Sequence, residues 1–133
     1  MYKKLRRSHG GFTIVELMII VAILTLLVAI AVPNFIRARK RAQATRTLND
    51  LRMVDAAIDR YAIDTNKSRL APVTFSDIRQ YIKPGTLLYE TGPADVLGND
   101  IVITTVDAIP KVAPTTYATL SDVAPFEFWS PYN

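Results

Sequence analysis

One carboxylate stands at the head of a long apolar run. Glu16 follows Gly10-Gly11-Phe12-Thr13-Ile14-Val15, and from Leu17 to Val32 no residue carries a charge. A charged side chain at the centre of a bilayer costs roughly 2.5–3.5 kcal/mol on insertion scales, and such residues are usually functional. Glu16 lies four residues past Phe12, about one helical turn, so it can meet an amine at Phe12 if the chain is cut after Gly11. The chemistry is then an ion pair between a carboxylate and an N-terminal amine in apolar surroundings. Losing one partner of a buried pair costs ~3–5 kcal/mol although the pair itself adds little, so such a contact between copies acts as a check on register.

A second constellation is Asp95-Val96-Leu97-Gly98-Asn99-Asp100. Oxygen ligands at short spacing suit calcium, with Asp95, Asn99 and Asp100 as donors around Gly98. The same residues also form ordinary turns, in which Asp and Asn side chains bond their own backbone. Little else proposes chemistry. The single histidine, His9, lies in the basic N-terminal segment and leaves with it if that segment is removed, and there is no cysteine. That argues against a catalytic triad, an imidazole metal site and any thiolate or disulfide chemistry. The carboxylates are scattered, with no pair spaced for acid–base work, so the residues do not read as an enzyme's.

These residues need a helix to position them. Residues 12–36 can span a bilayer as a helix, with Pro33 removing one backbone donor and loosening the turn before it. Residues 37–65 continue the helix with a different character. Ala44, Leu48, Leu51, Ile58 and Ala62 recur at helical spacing with Val54 and Tyr61 beside them, while Arg46, Asp50, Asp55, Asp59 and Arg60 lie mostly off that stripe. The helix is expected to stop near Asp64-Thr65-Asn66. Thr74, with Asp77 three residues on, opens a short helix over 75–82 that Pro84-Gly85 ends. Residues 86–90, 101–106 and 115–120 read as strands, the second of them the clearest because it is rich in β-branched residues. The expected fold class is therefore α+β: a long N-terminal helix, transmembrane in one half and amphipathic in the other, packed on a small antiparallel sheet in a head over residues 66–133. The aromatic tail Phe126-Glu127-Phe128-Trp129-Ser130-Pro131-Tyr132 is expected to pack on that sheet, with contact to a partner subunit as the alternative.

The net charge of +4 is a topology signal. Of the 16 Lys and Arg residues, four lie at positions 3–7, which leaves 12 against 12 Asp and Glu. A short basic segment beside the span places residues 1–11 in the cytoplasm and the head outside. Arg37, Arg39, Lys40 and Arg41 follow the span as a solvated or headgroup-facing cluster. The head has no basic stripe with interleaved aromatics, so nucleic acid is not an expected partner. The competing reading of residues 1–32 is a secretory signal peptide cut after Ala29-Ile30-Ala31, but the apolar stretch is longer than the usual 7–15 residues and such a peptide has no use for Glu16.

The segment Gly10-Gly11-Phe12-Thr13-Ile14-Val15-Glu16-Leu17 resembles the N-terminus of type IV pilins and of the pseudopilins of type II secretion systems. The resemblance covers about residues 3–40, and Pro33 falls where many members carry a proline. It implies that a prepilin peptidase removes residues 1–11 by cutting between Gly11 and Phe12, and that Phe12 is then N-methylated. It implies assembly through Phe12, Glu16 and Pro33 into a helical filament of like subunits, driven by an ATPase acting through an inner-membrane platform. The precursor would be a single-pass inner-membrane protein, and the filament would lie in the periplasm or on the surface. The expected function is a pilus subunit; the alternative is a secretion pseudopilin, and the third a tethered binding module that does not polymerise. Major pseudopilins carry an Asp-x-x-Gly-Asn turn like Asp95–Asn99, and several family members bind calcium nearby, although here Leu97 and Ile101 replace the family's aromatics.

Overall fold

The computed structural model describes residues 11–133. The expectations that fall on the basic leader, including Lys3, Lys4, Arg6, Arg7, His9 and Gly10, lie outside those residues. The chain divides into two units, Met1–Ile36 and Arg37–Asn133.

Helix α1 runs Ile14–Thr65, 52 residues, and passes through Pro33 without ending. Its first half is exposed at every position, and the segment is long and apolar enough to cross a membrane by length and composition. The two uncharged polar side chains inside that half bond their own helix. Thr25 Oγ1 donates to the carbonyl of Ala22 at 2.9 Å, and Asn34 Nδ2 donates to that of Ile30 at 3.3 Å. Such back-bonding lets hydroxyl and amide groups sit in an apolar helix without unmet donors.

In the second unit α1 is one-sided. Ala44, Leu48, Leu51, Val54, Ala57, Ile58 and Tyr61 are buried, which is the sequence stripe with Ala57 added and Ala62 only half-buried. The stripe is covered by short helices and extended segments. Helix α2, Phe75–Ile78, runs on as a 3-10 turn over Arg79–Tyr81. Thr74 caps it: its backbone N–H and its Oγ1 both donate to Asp77 Oδ2, at 2.9 and 2.7 Å. Helix α3 is Leu87–Thr91 and helix α4 is Pro114–Leu120. A last 3-10 turn spans Phe126–Trp129.

The antiparallel sheet expected from the sequence is not there. Among the described residues there is no strand, only isolated antiparallel bridges at Pro72–Thr105, Ala94–Asp100 and Val102–Lys111. Residues 86–90 are helical because Thr86 follows Pro84-Gly85 and accepts the N–H of Tyr89, and because Leu87, Leu88 and Glu90 are better helix than strand formers. Residues 115–120 are helical because Pro114 takes the first position, where its missing N–H costs nothing. Residues 101–106 are extended but have no one partner strand. Val102 exchanges both backbone bonds with Lys111, whereas Thr104 and Val106 pair back to Val73 and Ala71. Pro72 and Pro110 have no N–H to offer, so neither ladder can propagate.

The C-terminal tail closes the core. Trp129 is fully buried, its indole N–H donating to the carbonyl of Ala124 at 3.2 Å, and Tyr132 donates its hydroxyl to Asp55 on α1 at 3.1 Å. Phe126 is 59% exposed. Trp129→Ala should therefore cost about 3–5 kcal/mol, and Phe126→Ala within ~0.5 kcal/mol, in urea unfolding followed by circular dichroism. Equal effects would mean that the tail is not a core element.

Candidate functional site

The head of α1 is built from its first turn. The helix begins at Ile14, so Thr13 is its N-cap and Gly11 and Phe12 precede it outside the helix. Both are exposed, Phe12 at 72%, and a Cβ built on Gly11 meets nothing within 4 Å. The peptide bond between Gly11 and Phe12 is thus open backbone rather than helix. Leu17 makes the first helical bond, donating to the carbonyl of Thr13 at 3.2 Å.

Glu16 is held by Thr13. The Thr13 backbone N–H and Oγ1 each donate to Glu16 Oε2 at 2.9 Å, and the Glu16 N–H donates to Thr13 Oγ1 at 3.2 Å. This is a reciprocal capping box, which satisfies donors that a helix start otherwise leaves orphaned. Thr-x-x-Glu before an apolar run is the signature of this box, a local signal of the same kind as Thr74–Asp77 that the sequence reading above leaves unused. Pro33 lies inside α1, about five turns along.

The Asp95–Asp100 segment forms a tight turn in the other unit. Asp95 is buried, and its Oδ1 accepts the N–H groups of Leu97 at 2.8 Å and Asn99 at 3.0 Å. Its Oδ2 accepts the hydroxyl of Thr116 on α4, and Asn99 Nδ2 donates to that same hydroxyl at 2.9 Å. Gly98 has φ of +82°, a conformation in which a side chain would be strained. Asp100 is exposed and bridges Ala94 through its backbone. Asp95's oxygens accept three donors of the chain, so the turn is held by its own backbone and by Thr116. Among the described residues no group of three or more His, Cys, Asp or Glu side chains could hold a metal. The turn is a latch on α4, and Thr116, which completes it, has no local sequence signal.

Asp50 departs from expectation. Placed off the apolar stripe by periodicity, it is 7% exposed. Burial pushes its carboxyl above the ordinary value of 3.8, Arg46 pulls it back, and the neighbouring Asp95 raises it further. One turn earlier, Thr47 Oγ1 is buried with no hydrogen-bond partner among the described residues.

Residues 6–32 match the prokaryotic N-terminal methylation motif. The type II secretion system core protein G of Pseudomonas aeruginosa is 37% identical over 59 residues, which is 44% of this chain and 42% of that protein. The type IV wide pilus major component PilA4 of Thermus thermophilus is 37% identical over 84 residues, 53% of this chain and 64% of the relative. The N-terminal segment of this chain is thus similar to those of pilins and pseudopilins and carries their methylation motif. The core protein G of Escherichia coli is 26% identical over 107 residues, 72% of each chain, so likeness also reaches into the head. Against the core protein G chains of Aeromonas hydrophila and P. aeruginosa, this pilin-like chain spans under half of their length. No solved structure matches it. Its N-terminal apolar helix and methylation motif fit a precursor anchored in the inner membrane.

Two predictions follow from the head. Asp50 takes up a proton more readily folded than unfolded, so its charged form opposes folding at neutral pH. That opposition is lost as pH falls through its raised folded pKa and is gone below the unfolded value. Asp50→Asn should raise the melting temperature at pH 7, with an advantage that narrows as pH falls toward 3.8; a constant advantage would refute the assignment. Asp95→Ala should cost about 3 kcal/mol or more, since it strands donors at ~1–3 kcal/mol each, while a chelator leaves the wild-type melting temperature unchanged. A drop with chelator would restore the calcium reading.

Proposed function

We propose that this protein is a structural subunit of a type IV pilus-like filament. The observation that supports it best is a helix exposed and apolar on every side over Ile14–Ile36, headed by one carboxylate and preceded by an open Gly11–Phe12 bond. A free-standing soluble chain cannot leave such a surface uncovered. A bilayer covers it first, and the same surface of neighbouring copies covers it in the filament.

On this reading a prepilin peptidase cuts between Gly11 and Phe12 and the new amine of Phe12 is methylated. Residues 12–36 then form the membrane and filament-core half of the helix, 37–65 its amphipathic half, and 66–133 the head. Glu16 accepts the Phe12 amine of a neighbour and so fixes axial register, and Pro33 loosens the helix where copies pack. Moving the helix from lipid into protein yields little hydrophobic gain, because lipid is equally apolar. Extraction therefore needs work, supplied by an ATPase through an inner-membrane platform. The contact is heterologous, so it propagates without closing. No cofactor and no catalytic role enters this reading.

A second reading is a pseudopilin of a type II secretion system, in a periplasmic fibre that drives protein export. It is supported by the likeness to the E. coli core protein G, which extends over 72% of both chains.

Intact-mass spectrometry of membrane and sheared-surface fractions tests both. A mass lacking residues 1–11 with one added methyl is expected; a chain starting at Met1 or Val32 would overturn the filament reading. Presence in sheared filaments selects the pilus, and confinement to the envelope selects the pseudopilin. Glu16→Ala should insert in the membrane as wild type does and lose filaments by tenfold or more, on the order of the cost of one missing partner in a buried pair.

A further inference from the structure

Helix α1 runs to Thr65, whose hydroxyl donates to the carbonyl of Tyr61 at 2.6 Å. Asn66 then takes a φ of +48°, in the left-handed region where asparagine is tolerated at a helix end. That accounts for an asparagine at 66. It does not account for the hydroxyl two residues on, in Asn66-Lys67-Ser68. Asn-x-Ser, with any residue but proline between, is the acceptor pattern for N-linked glycans. Asn34, Asn49 and Asn99 are followed at that spacing by Ile36, Leu51 and Ile101, so none of them shares the pattern.

The surroundings suit a modifying enzyme. Residues 63–70 are all exposed. The bonds that fix this loop come from its neighbours and its backbone: Tyr81 donates its hydroxyl to Asp64, and the Ala71 N–H donates to the carbonyl of Ser68 at 2.9 Å. Asn66 and Ser68 can therefore be drawn out by their side chains without opening the core. Asp64, two residues before Asn66, adds a carboxylate that a cationic side chain of the enzyme can grip. Ile63 and Leu70, 82% and 83% exposed, bracket the pattern and are the most exposed large apolar side chains among the described residues. A bulky, hydrated glycan fixed between them shields apolar surface that the head leaves in water.

We propose that Asn66 is a glycosylation site, its side-chain amide taking a glycan from a lipid-linked donor at the outer face of the inner membrane. The proposal rests on the reading that places the head outside that membrane. There the glycan is carried on a polyprenyl diphosphate, and Asn66 Nδ2 attacks its anomeric carbon. A C–N bond forms as the bond from that carbon to the diphosphate oxygen breaks. The lipid diphosphate leaves with the electron pair, and the amide proton passes to water.

Mass spectrometry of the full-length chain expressed in its native host tests this. Digestion after Arg60, Lys67 and Arg69 separates Asn66 from Ser68. Wild type should carry added mass in whole sugar units on residues 61–67. Asn66→Gln and Ser68→Ala should each lose it, and Ser68→Thr, which keeps the hydroxyl, should retain it. A wild-type chain without added mass would overturn the proposal. So would added mass that survives Asn66→Gln or falls on residues 68–69, which would make the Ser68 hydroxyl the acceptor, and so would its loss in Ser68→Thr. The same spectra separate this from the filament reading. Cleavage after Gly11 with no sugar overturns the glycan and leaves the filament reading standing. Sugar on Asn66 in a chain that still starts at Met1 does the reverse.

Discussion

The structure depends on α1 meeting its own backbone requirements. From Leu17 onward the N–H groups of the helix find carbonyls within it, and at its start the box gives partners to the N–H groups of Thr13 and Glu16. A segment so satisfied carries no obligation to water. Its side chains are then free to follow whichever solvent surrounds them, and here they follow two. Up to Ile36 they are apolar on every side and exposed, while between Ala44 and Tyr61 they are apolar on one side and buried there. Only a helix tolerates both regimes in one uninterrupted element, because its hydrogen bonding is internal in hydrocarbon and in water alike.

The head answers the buried stripe with little regular structure. Short helices, 3-10 turns and single bridges bring Val73, Ile78, Ile82, Leu88, Ile101, Val112, Leu120 and Trp129 onto α1. What keeps these pieces in place is a few specific polar contacts. Thr74–Asp77 starts α2, Asp95 and Thr116 fasten the 95–99 turn to α4, and Tyr132 bonds Asp55. Lys40 and Asp122, 3.0 Å apart at the surface, add a further tie between α1 and the segment after α4. As an exposed pair its contribution is ~0–1 kcal/mol, small beside the buried latch. Asp50 runs against this pattern, since burial and Asp95 both disfavour its charge.

The same capping chemistry serves different ends at the two Thr-x-x-acid sites. At Thr74 the box starts a helix of four residues, where every end bond matters to whether it forms. At Thr13 it opens a helix of 52 residues, whose existence does not hang on one cap. There the box gives a carboxylate partners inside its own turn, which lowers the cost of keeping it beside hydrocarbon.

The sequence by itself determined the elements whose physics is local or periodic. The apolar run, the stripe from Ala44 to Tyr61 and the Thr74 cap are all legible because helix period and capping signatures act over a few residues. The Thr13–Glu16 box was equally legible and was overlooked. What only the tertiary structure decided is non-local. Residues 86–90 and 115–120 became helices where strands were expected, because a preceding cap or proline outweighed weak strand propensity. Residues 101–106 stayed extended yet formed no sheet, because a ladder needs a partner with N–H groups to offer, and prolines 30 or more residues away in one case and a few in the other withheld them. Asp95's third donor and Asp50's burial were hidden for the same reason. Each depends on which side chain arrives from a distant part of the chain, and periodicity records the face of a helix but not what will be packed against it.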